Sequence, residues 1–127
     1  MLEIEAFGDG LPHDSCVHLA GRTLAACGVT EGHLAITFVD PPRIRELNVA
    51  HRGVDSSTDV LSFPIDGPAP TAGPRELGDV VVCPQQTDDL EEAVVHGVLH
   101  LCGFDHEADD GEMLVLQKRV LVELRDI

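Results

Sequence analysis

Four short segments of the chain have the residue pattern of β-strands. Residues 2–6 and 59–65 alternate apolar and polar side chains, and this period of two predicts strands that bury one face. Residues 34–39 and 78–83 are rich in strand-forming side chains, and Pro84 ends the second of these segments. The pattern therefore predicts four strands.

Two helices are predicted between the first three strands, each with a recognisable end. Apolar residues at helical spacing run from 12 to 27, and Gly28 provides the stop. The next helix begins after Asp40, whose side chain suits the N-cap, and two prolines that suit the first turn follow it. It is predicted to run to about Arg52 and to stop at Gly53.

Two further helices are predicted after the fourth strand. Thr87 or Asp88 is the expected N-cap of the first, whose early acidic residues suit the helix dipole. Asp109 and Glu112 resemble a capping pair for the second, which is predicted to end near Arg125. The predicted order is β-α-β-α-β-β-α-α. The expected class is α+β, with one small mixed sheet of about four strands packed against helices.

The composition is typical of a single folded domain spanning residues 1–127. The length suffices for one hydrophobic core, and 43% of the residues are hydrophobic. No apolar run reaches the length of a membrane span and the N-terminus lacks an export signal, so we expect a cytoplasmic protein that does not bind membranes. The four cysteines include no C-x-x-C pair and are expected to be reduced thiols.

The net charge of −15 restricts the partners that the chain can bind. With 23 acidic and 8 basic residues, the field of the protein repels nucleic acid and anionic surfaces. A polyanion therefore requires a local basic patch, and the densest group of basic residues comprises Arg43, Arg45 and Arg52. We expect Arg43 and Arg45 to be solvated and to pair with the acidic surface.

The segment from His96 to His106 carries the strongest chemical signal in the chain. It places three histidines at the spacing H-x3-H-x5-H. In a helix, His96 and His100 lie one turn apart on the same face, and Gly103 can adopt the left-handed conformation that reverses the chain. Such a turn brings His106 to the same point. The spacing therefore predicts a catalytic metal site with three imidazole ligands and an open fourth position.

Gly97 distinguishes this segment from a protease motif. The metzincin pattern H-E-x-x-H-x-x-G-x-x-H matches at all three histidines and at Gly103, but a glycine replaces its catalytic glutamate. The predicted ligands are kept, whereas the general base for peptide hydrolysis is missing. A peptidase of this type is disfavoured unless another carboxylate, such as Asp105 or Glu107, supplies the base. Asp105 has two further interpretations, a residue that orients a metal ligand or a simple turn residue.

The same segment resembles the hallmark of the YbeY family of metal-dependent endoribonucleases, H-G-x-L-H-L-x-G-[YF]-D-H. Two more blocks are similar to those of the family: L-N-V-A-H-R with T-D-V-L-S-F-P within residues 47–64, and L-G-D-V-V-V at 77–82. Two positions depart from the family pattern, because Ser57 stands in place of a proline and His51 in place of an aromatic residue.

The resemblance implies an enzyme that cleaves single-stranded RNA. It implies a role in ribosomal RNA maturation, notably at the 3′ end of 16S RNA, and in ribosome quality control. It also implies one Zn²⁺ ion, or another divalent transition metal, held by His96, His100 and His106. The functionally required arginine of the family corresponds to Arg52. The implied partners are ribosomal RNA and the small ribosomal subunit or ribosome-associated proteins.

The chemistry of these side chains agrees with that implication. A guanidinium offers a planar fork of donors that fits a phosphate, so Arg52 is predicted to bind the scissile phosphate and to stabilise its developing charge. The metal is predicted to polarise a phosphoryl oxygen or to activate water, and the RNA 2′-hydroxyl is the alternative nucleophile. Thr58, Asp59 and Ser62 are candidate groove residues, although an aspartate at the start of a strand commonly has a structural role.

Two other functions are compatible with the sequence. The first is a zinc hydrolase of another class, a peptidase or amidase, which would cleave peptides and not RNA. The second is a non-catalytic ribosome-associated module whose metal only stabilises the last two helices. Three histidine ligands argue against it, because structural zinc sites normally have four protein ligands. The acidity further predicts that free RNA binds weakly and that a ribosomal or protein partner presents it.

Overall fold

The computed structural model describes residues 2–65, 75–104 and 109–125. The elements are β1 (Leu2–Phe7), α1 (His13–Ala26), β2 (Gly32–Phe38), α2 (Pro41–Arg52), β3 (Val60–Pro64), β4 (Glu76–Val82), α3 (Leu90–Leu101) and α4 (Glu112–Arg125). A short 3₁₀ turn, Pro84–Gln86, precedes α3. The predicted order of elements and the α+β class are confirmed.

Two helices are capped at the residues that the sequence predicts. Asp40 Oδ1 accepts a hydrogen bond from the Arg43 N–H at 3.0 Å, and α2 ends at Gly53 with a φ of 68°, in the left-handed region that glycine adopts most readily. At the start of α4, the carboxylate of Asp109 accepts the Met113 N–H at 3.0 Å. Capping residues close in the sequence therefore determine both ends of α2 and the start of α4.

The N-cap of α3 differs from the prediction of Thr87 or Asp88, which is wrong. The cap is Asp89, whose Oδ1 accepts the Glu92 N–H at 3.1 Å. Thr87 instead stabilises the turn before the helix, because its Oγ1 accepts the Asp89 N–H at 3.2 Å. All three consecutive residues have side chains that suit an N-cap, so the pattern alone did not identify the one that caps.

The four strands form one mixed sheet in the order β1-β2-β4-β3. Strand β2 pairs in parallel with β1 and β4, whereas β3 runs antiparallel to β4. Strand β3 is therefore an edge strand, and one of its sides is available to residues from other elements.

The sheet separates two clusters of buried apolar side chains. Helices α1, α3 and α4 cover one face, where Leu24, Leu99 and Met113 pack with Ile36 and Val80 of the strands. The opposite face carries a smaller cluster, in which α2 packs on the sheet through the buried side chains of Ile44, Leu61, Val81 and Cys83. The edge strand β3 therefore lies between α3 on one face and α2 on the other.

Gly97 allows α3 to lie close to strands β3 and β4. A Cβ atom at this position would lie 2.5 Å from Val80 Cγ1 and 2.9 Å from Val60 Cγ2, which is too close for either contact. The Ser62 hydroxyl donates a hydrogen bond to the Gly97 carbonyl at 2.8 Å. This close approach holds the helix turn that contains His96 and His100 against the edge of the sheet.

In the part of the chain that the structure describes, no helix combines the length and the apolar character needed to cross a membrane.

Candidate active site

A cleft of about 640 Å³ opens beside strand β3, between the end of α2 and the end of α3. It brings together Arg52, His96 and His100, which are far apart in the sequence. Its lining comprises Arg52, Thr58, Asp59, Val60, Leu61, Ser62, Pro64, His96, His100, Gly103 and Phe104. The candidate groove residues Thr58, Asp59 and Ser62 thus lie in the same cleft as Arg52, His96 and His100.

Helix α3 ends in the left-handed turn that the sequence predicts at Gly103. Gly103 has a φ of 97°. The Phe104 N–H donates to the Leu99 carbonyl at 3.2 Å and the Gly103 N–H to the His100 carbonyl at 3.0 Å, the two bonds of a Schellman motif. The turn places the carbonyl of Phe104 beside the imidazole of His100.

Each imidazole of α3 is oriented by a hydrogen bond from its Nδ1 atom. His100 Nδ1–H donates to the Phe104 carbonyl at 2.9 Å, and His96 Nδ1–H donates to Gln117 Oε1 at 2.7 Å. Because both acceptors are carbonyl oxygens, the proton of each neutral ring lies on Nδ1 and the lone pair on Nε2. The two Nε2 atoms lie 3.1 Å apart.

This geometry fits two ligands of one metal ion. Two nitrogen atoms that each lie about 2.0–2.1 Å from a tetrahedral zinc ion are about 3.3–3.4 Å apart, close to the 3.1 Å between the Nε2 atoms. With each Nδ1–H donating to a carbonyl oxygen, the two Nε2 lone pairs could both bind one cation. Hydrogen bonds from Nδ1 to carbonyl oxygens are also the usual support of histidine ligands.

The third predicted ligand, His106, lies outside the described residues, as do Asp105 and Glu107. Among residues 2–65, 75–104 and 109–125, no three His, Cys, Asp or Glu side chains are grouped so that they could hold a metal ion. The pair His96 and His100 is therefore the described part of the predicted site, and the third ligand stays a prediction.

Gln117 contacts the site, and the sequence analysis did not identify it. Its side chain is only 8% exposed, and it lies on the face of α4 that buries Met113, Val120 and Leu121. A polar residue within the apolar stripe of an amphipathic helix is predicted to be buried, and a buried amide requires a hydrogen-bond partner. That pattern is the sequence signal that could have identified Gln117. Here that partner is the imidazole of His96.

Arg52 differs from the other two arginines of its cluster. Arg43 pairs with Glu46 at 3.1 Å and Arg45 with Asp55 at 2.6 Å, as expected for solvated groups on an acidic surface. The hydrogen bond from Arg45 holds the pKa of Asp55 below its usual value. Arg52 lines the cleft, and no carboxylate of the described residues forms an ion pair with it.

Asn48 holds the segment that leads from α2 to β3. Its side chain is 2% exposed, and its Nδ2 donates to the carbonyl of Ser56 at 3.0 Å. At the end of the segment, Asp59 Oδ1 accepts the N–H of Val60 at 2.9 Å, so Asp59 also has the structural role considered for it. The sequence analysis missed Asn48, whose signal is a buried amide on the inner face of α2. Both contacts fix the wall of the cleft next to Arg52.

Comparison with known proteins identifies a family for this fold and cleft. The model of the family described as Endoribonuclease YbeY matches residues 14–125. The chain belongs to the YbeY endoribonuclease family. A relative named Endoribonuclease YbeY from Rubrobacter xylanophilus is 44% identical over 97 residues, which cover 74% of this chain and 69% of the relative. Another from Salinispora tropica is 34% identical, covering 93% and 91%.

A solved structure has the same fold. The solution structure of TM1509 from Thermotoga maritima matches with a TM-score of 0.59 and 28% identity, covering 98% of this chain and 89% of that chain. The likeness extends over all the elements described above, so it supports the mixed sheet and the placement of the helices that carry the cleft.

Gly97 separates this YbeY-family cleft from a metzincin active site on steric grounds. Its Cβ position faces Val80 and Val60 in the interface between helix and sheet. A glutamate side chain at this position would have to start from that close contact between the helix and the sheet. The packing at position 97 therefore leaves no room for a Cβ atom, and this chain lacks the glutamate on which the HExxH mechanism depends.

Proposed function

We propose that the protein is a metal-dependent endoribonuclease that cleaves single-stranded ribosomal RNA. The observation that carries the proposal is that two imidazoles with Nε2 atoms 3.1 Å apart share one cleft with Arg52, an arginine that no carboxylate of the described residues neutralises. Relatives that are named endoribonucleases support RNA as the substrate. We further propose maturation of the 16S RNA 3′ end and ribosome quality control as its roles, in the cytoplasm, where this substrate is found.

His96, His100 and His106 are the proposed metal ligands, and Zn²⁺ or another divalent transition metal is the proposed ion. Imidazole nitrogens suit such ions. The hydrogen bonds to Phe104 and Gln117 support the assignment, because they orient the two imidazoles with their Nε2 atoms close together. A bound ion would supply a Lewis acid beside the phosphate and would lower the pKa of a coordinated water.

Arg52 is the proposed phosphate-binding residue. Its guanidinium can donate two parallel hydrogen bonds to phosphoryl oxygens, on which negative charge grows during cleavage. No carboxylate in residues 2–65, 75–104 and 109–125 pairs with this charge, which leaves it available to a phosphate as far as these residues are concerned. Attack by water and attack by the RNA 2′-hydroxyl both agree with this role, and a cyclic 2′,3′-phosphate product would exclude attack by water.

The Arg52→Ala variant is expected to lower kcat/KM for a single-stranded RNA about 10²-fold or more, the typical cost of losing one group that stabilises transition-state charge. The matched control is Arg45→Ala, which loses the same charge from the same helix but outside the cleft. The measurement is cleavage of a labelled RNA by identically purified proteins. Full activity of Arg52→Ala would contradict the assignment, provided that a metal-site variant is inactive and so excludes contaminating ribonuclease.

The Gln117→Leu variant is expected to weaken zinc binding about 10- to 100-fold, because the oxygen that orients His96 is lost while an apolar side chain of similar size remains. Gln117→Glu keeps an acceptor oxygen and should retain the affinity of the wild type. Titration with zinc against a competing chelator measures both. Equal affinities for wild type and Gln117→Leu would show that this hydrogen bond does not support a metal ligand.

The charge of the protein leads us to propose that the small ribosomal subunit, or a protein associated with the ribosome, presents the RNA. A net charge of −15 repels a free polyanion, and two of the three clustered arginines are paired with carboxylates. Free RNA is therefore held weakly, and tight binding of free RNA at physiological salt would contradict this part of the proposal.

A further inference from the structure

A second groove continues from the active-site cleft onto the opposite face of β3. Arg52, Ser62 and Pro64 line both cavities. The second groove has a volume of about 760 Å³ and lies where α2 leaves part of the sheet uncovered. Because the cavities share Arg52, a ligand whose phosphate binds that side chain can extend into both.

Two planar rings, the imidazole of His51 and the phenyl ring of Phe63, lie in this second groove. His51 comes from the last turn of α2 and Phe63 from β3, and their ring centroids are 4.8 Å apart with the planes inclined at 57°. His51 is exposed and Phe63 is only partly buried, so ring surface is accessible from the groove. Exposed aromatic surface beside a phosphate-binding arginine is the arrangement on which proteins stack unpaired bases.

A carboxylate lies beside the rings. Asp79 is the register partner of Phe63 in the antiparallel pair of β3 and β4, so both side chains project from the same face of the sheet. The carboxylate repels phosphate but accepts hydrogen bonds from the N–H groups at the edge of a base. This part of the groove therefore favours a base over the RNA backbone.

We propose that the groove formed by His51, Phe63 and Asp79 binds one unpaired nucleobase adjacent to the phosphate at Arg52. The inference rests on the proposed endoribonuclease function and adds a subsite to it. His51 and Arg52 are consecutive residues, so the base and the phosphate that they contact belong to the same or neighbouring nucleotides. A paired base in a duplex is stacked on its neighbours and cannot enter the groove. The subsite therefore provides a physical reason for a preference for single strands.

The test is a scan of single-stranded RNA substrates, each with one abasic ribose at a different position around the cleaved bond. We expect one position next to that bond at which loss of the base lowers kcat/KM roughly 5- to 150-fold, the range for one stacked base. The Phe63→Leu variant keeps an apolar side chain but removes the ring. It should cleave intact RNA more slowly by the same factor and should not respond to base removal at that position.

The matched control is Phe7→Leu, which removes a ring that is 51% exposed on β1, at the other edge of the sheet. At every abasic position of the RNA, the Phe7→Leu variant should show the same change in kcat/KM as the wild type. If wild type cleaves RNA but no abasic position differs from the others, the base subsite is wrong and the groove has another occupant, such as a protein segment. The base subsite is also wrong if removal of the base still lowers kcat/KM in the Phe63→Leu variant as it does in the wild type.

A binding readout separates this inference from the proposed function. If wild type with zinc cleaves neither free RNA nor the RNA of the small ribosomal subunit, the endoribonuclease proposal fails, and the subsite is then judged by fluorescence of 2-aminopurine placed at successive positions of the RNA. Excess protein at low salt favours binding, since phosphate contacts are strongest there. Quenching at one position in wild type, lost in Phe63→Leu, supports the subsite, and no quenching at any position overturns it.

Discussion

Replacing His100 with alanine is expected to abolish metal binding and to lower RNA cleavage at least about 10³-fold, the loss that corresponds to the several kcal/mol that a metal ion contributes as a Lewis acid. The variant removes one of the two Nε2 atoms that lie 3.1 Å apart. It also removes the hydrogen bond to the Phe104 carbonyl, which is worth about 1 kcal/mol. The protein should therefore remain folded while it loses its activity.

The measurements for this variant are its bound metal after dialysis, its cleavage of a labelled single-stranded RNA and its thermal unfolding. The matched control is His13→Ala, which removes a histidine at the exposed start of α1, outside the cleft. Metal content and activity of His13→Ala should equal those of the wild type. A His100→Ala protein that keeps its metal and its activity would place the chemistry elsewhere in the molecule.

Introducing the missing glutamate of the metzincin motif is expected to destabilise the protein without creating a peptidase. The Cβ atom of Gly97→Glu would lie 2.5 Å from Val80 Cγ1, and its carboxylate would enter a buried interface. Overpacking typically costs about 1–3 kcal/mol. An unpaired buried charge adds about 3–5 kcal/mol, whereas the gain in helix propensity over glycine is only about 1 kcal/mol. The costs of overpacking and of the buried charge together exceed the gain in helix propensity. Gly97→Glu is therefore expected to lose most of the free energy of unfolding of a small domain.

Urea unfolding of Gly97→Glu, Gly97→Ala and the wild type separates the cost of overpacking from the cost of the buried charge. The alanine variant adds the Cβ atom without the charge, so it should lose at most about 2 kcal/mol once the gain in helix propensity is counted. Neither variant should hydrolyse peptides when loaded with zinc. A Gly97→Glu protein as stable as the wild type would mean that position 97 is not packed against the sheet.

The elements could be predicted from sequence where local chemistry determines them. Asp40 and Gly53 bound α2 because a capping side chain and a left-handed residue act within a few positions of the chain. The turn at Gly103 is determined in the same local way, and with it the hydrogen bond that orients His100. The paired histidines of the candidate site were therefore foreseeable from helical spacing and one glycine.

Contacts between distant segments could not be predicted by the same reasoning. The order β1-β2-β4-β3 depends on which strands pair in space, and only that pairing brings Arg52 to the histidines of α3. From the sequence, Arg52 stood out through its family block and not through any spacing to His96. Gln117 was missed because its value to the site depends on the packing of α4 against α3, which no local pattern encodes.

The most direct test of the account is RNA cleavage by metal-stripped protein before and after addition of one equivalent of zinc. Wild type, Arg52→Ala and His100→Ala are compared on one labelled single-stranded RNA. The account predicts no cleavage by stripped protein and recovery on addition of zinc in the wild type. Arg52→Ala should bind zinc but recover little activity, and His100→Ala should neither bind zinc nor recover. Cleavage that is independent of zinc, or equal in all three proteins, would contradict a metal-dependent endoribonuclease at this cleft.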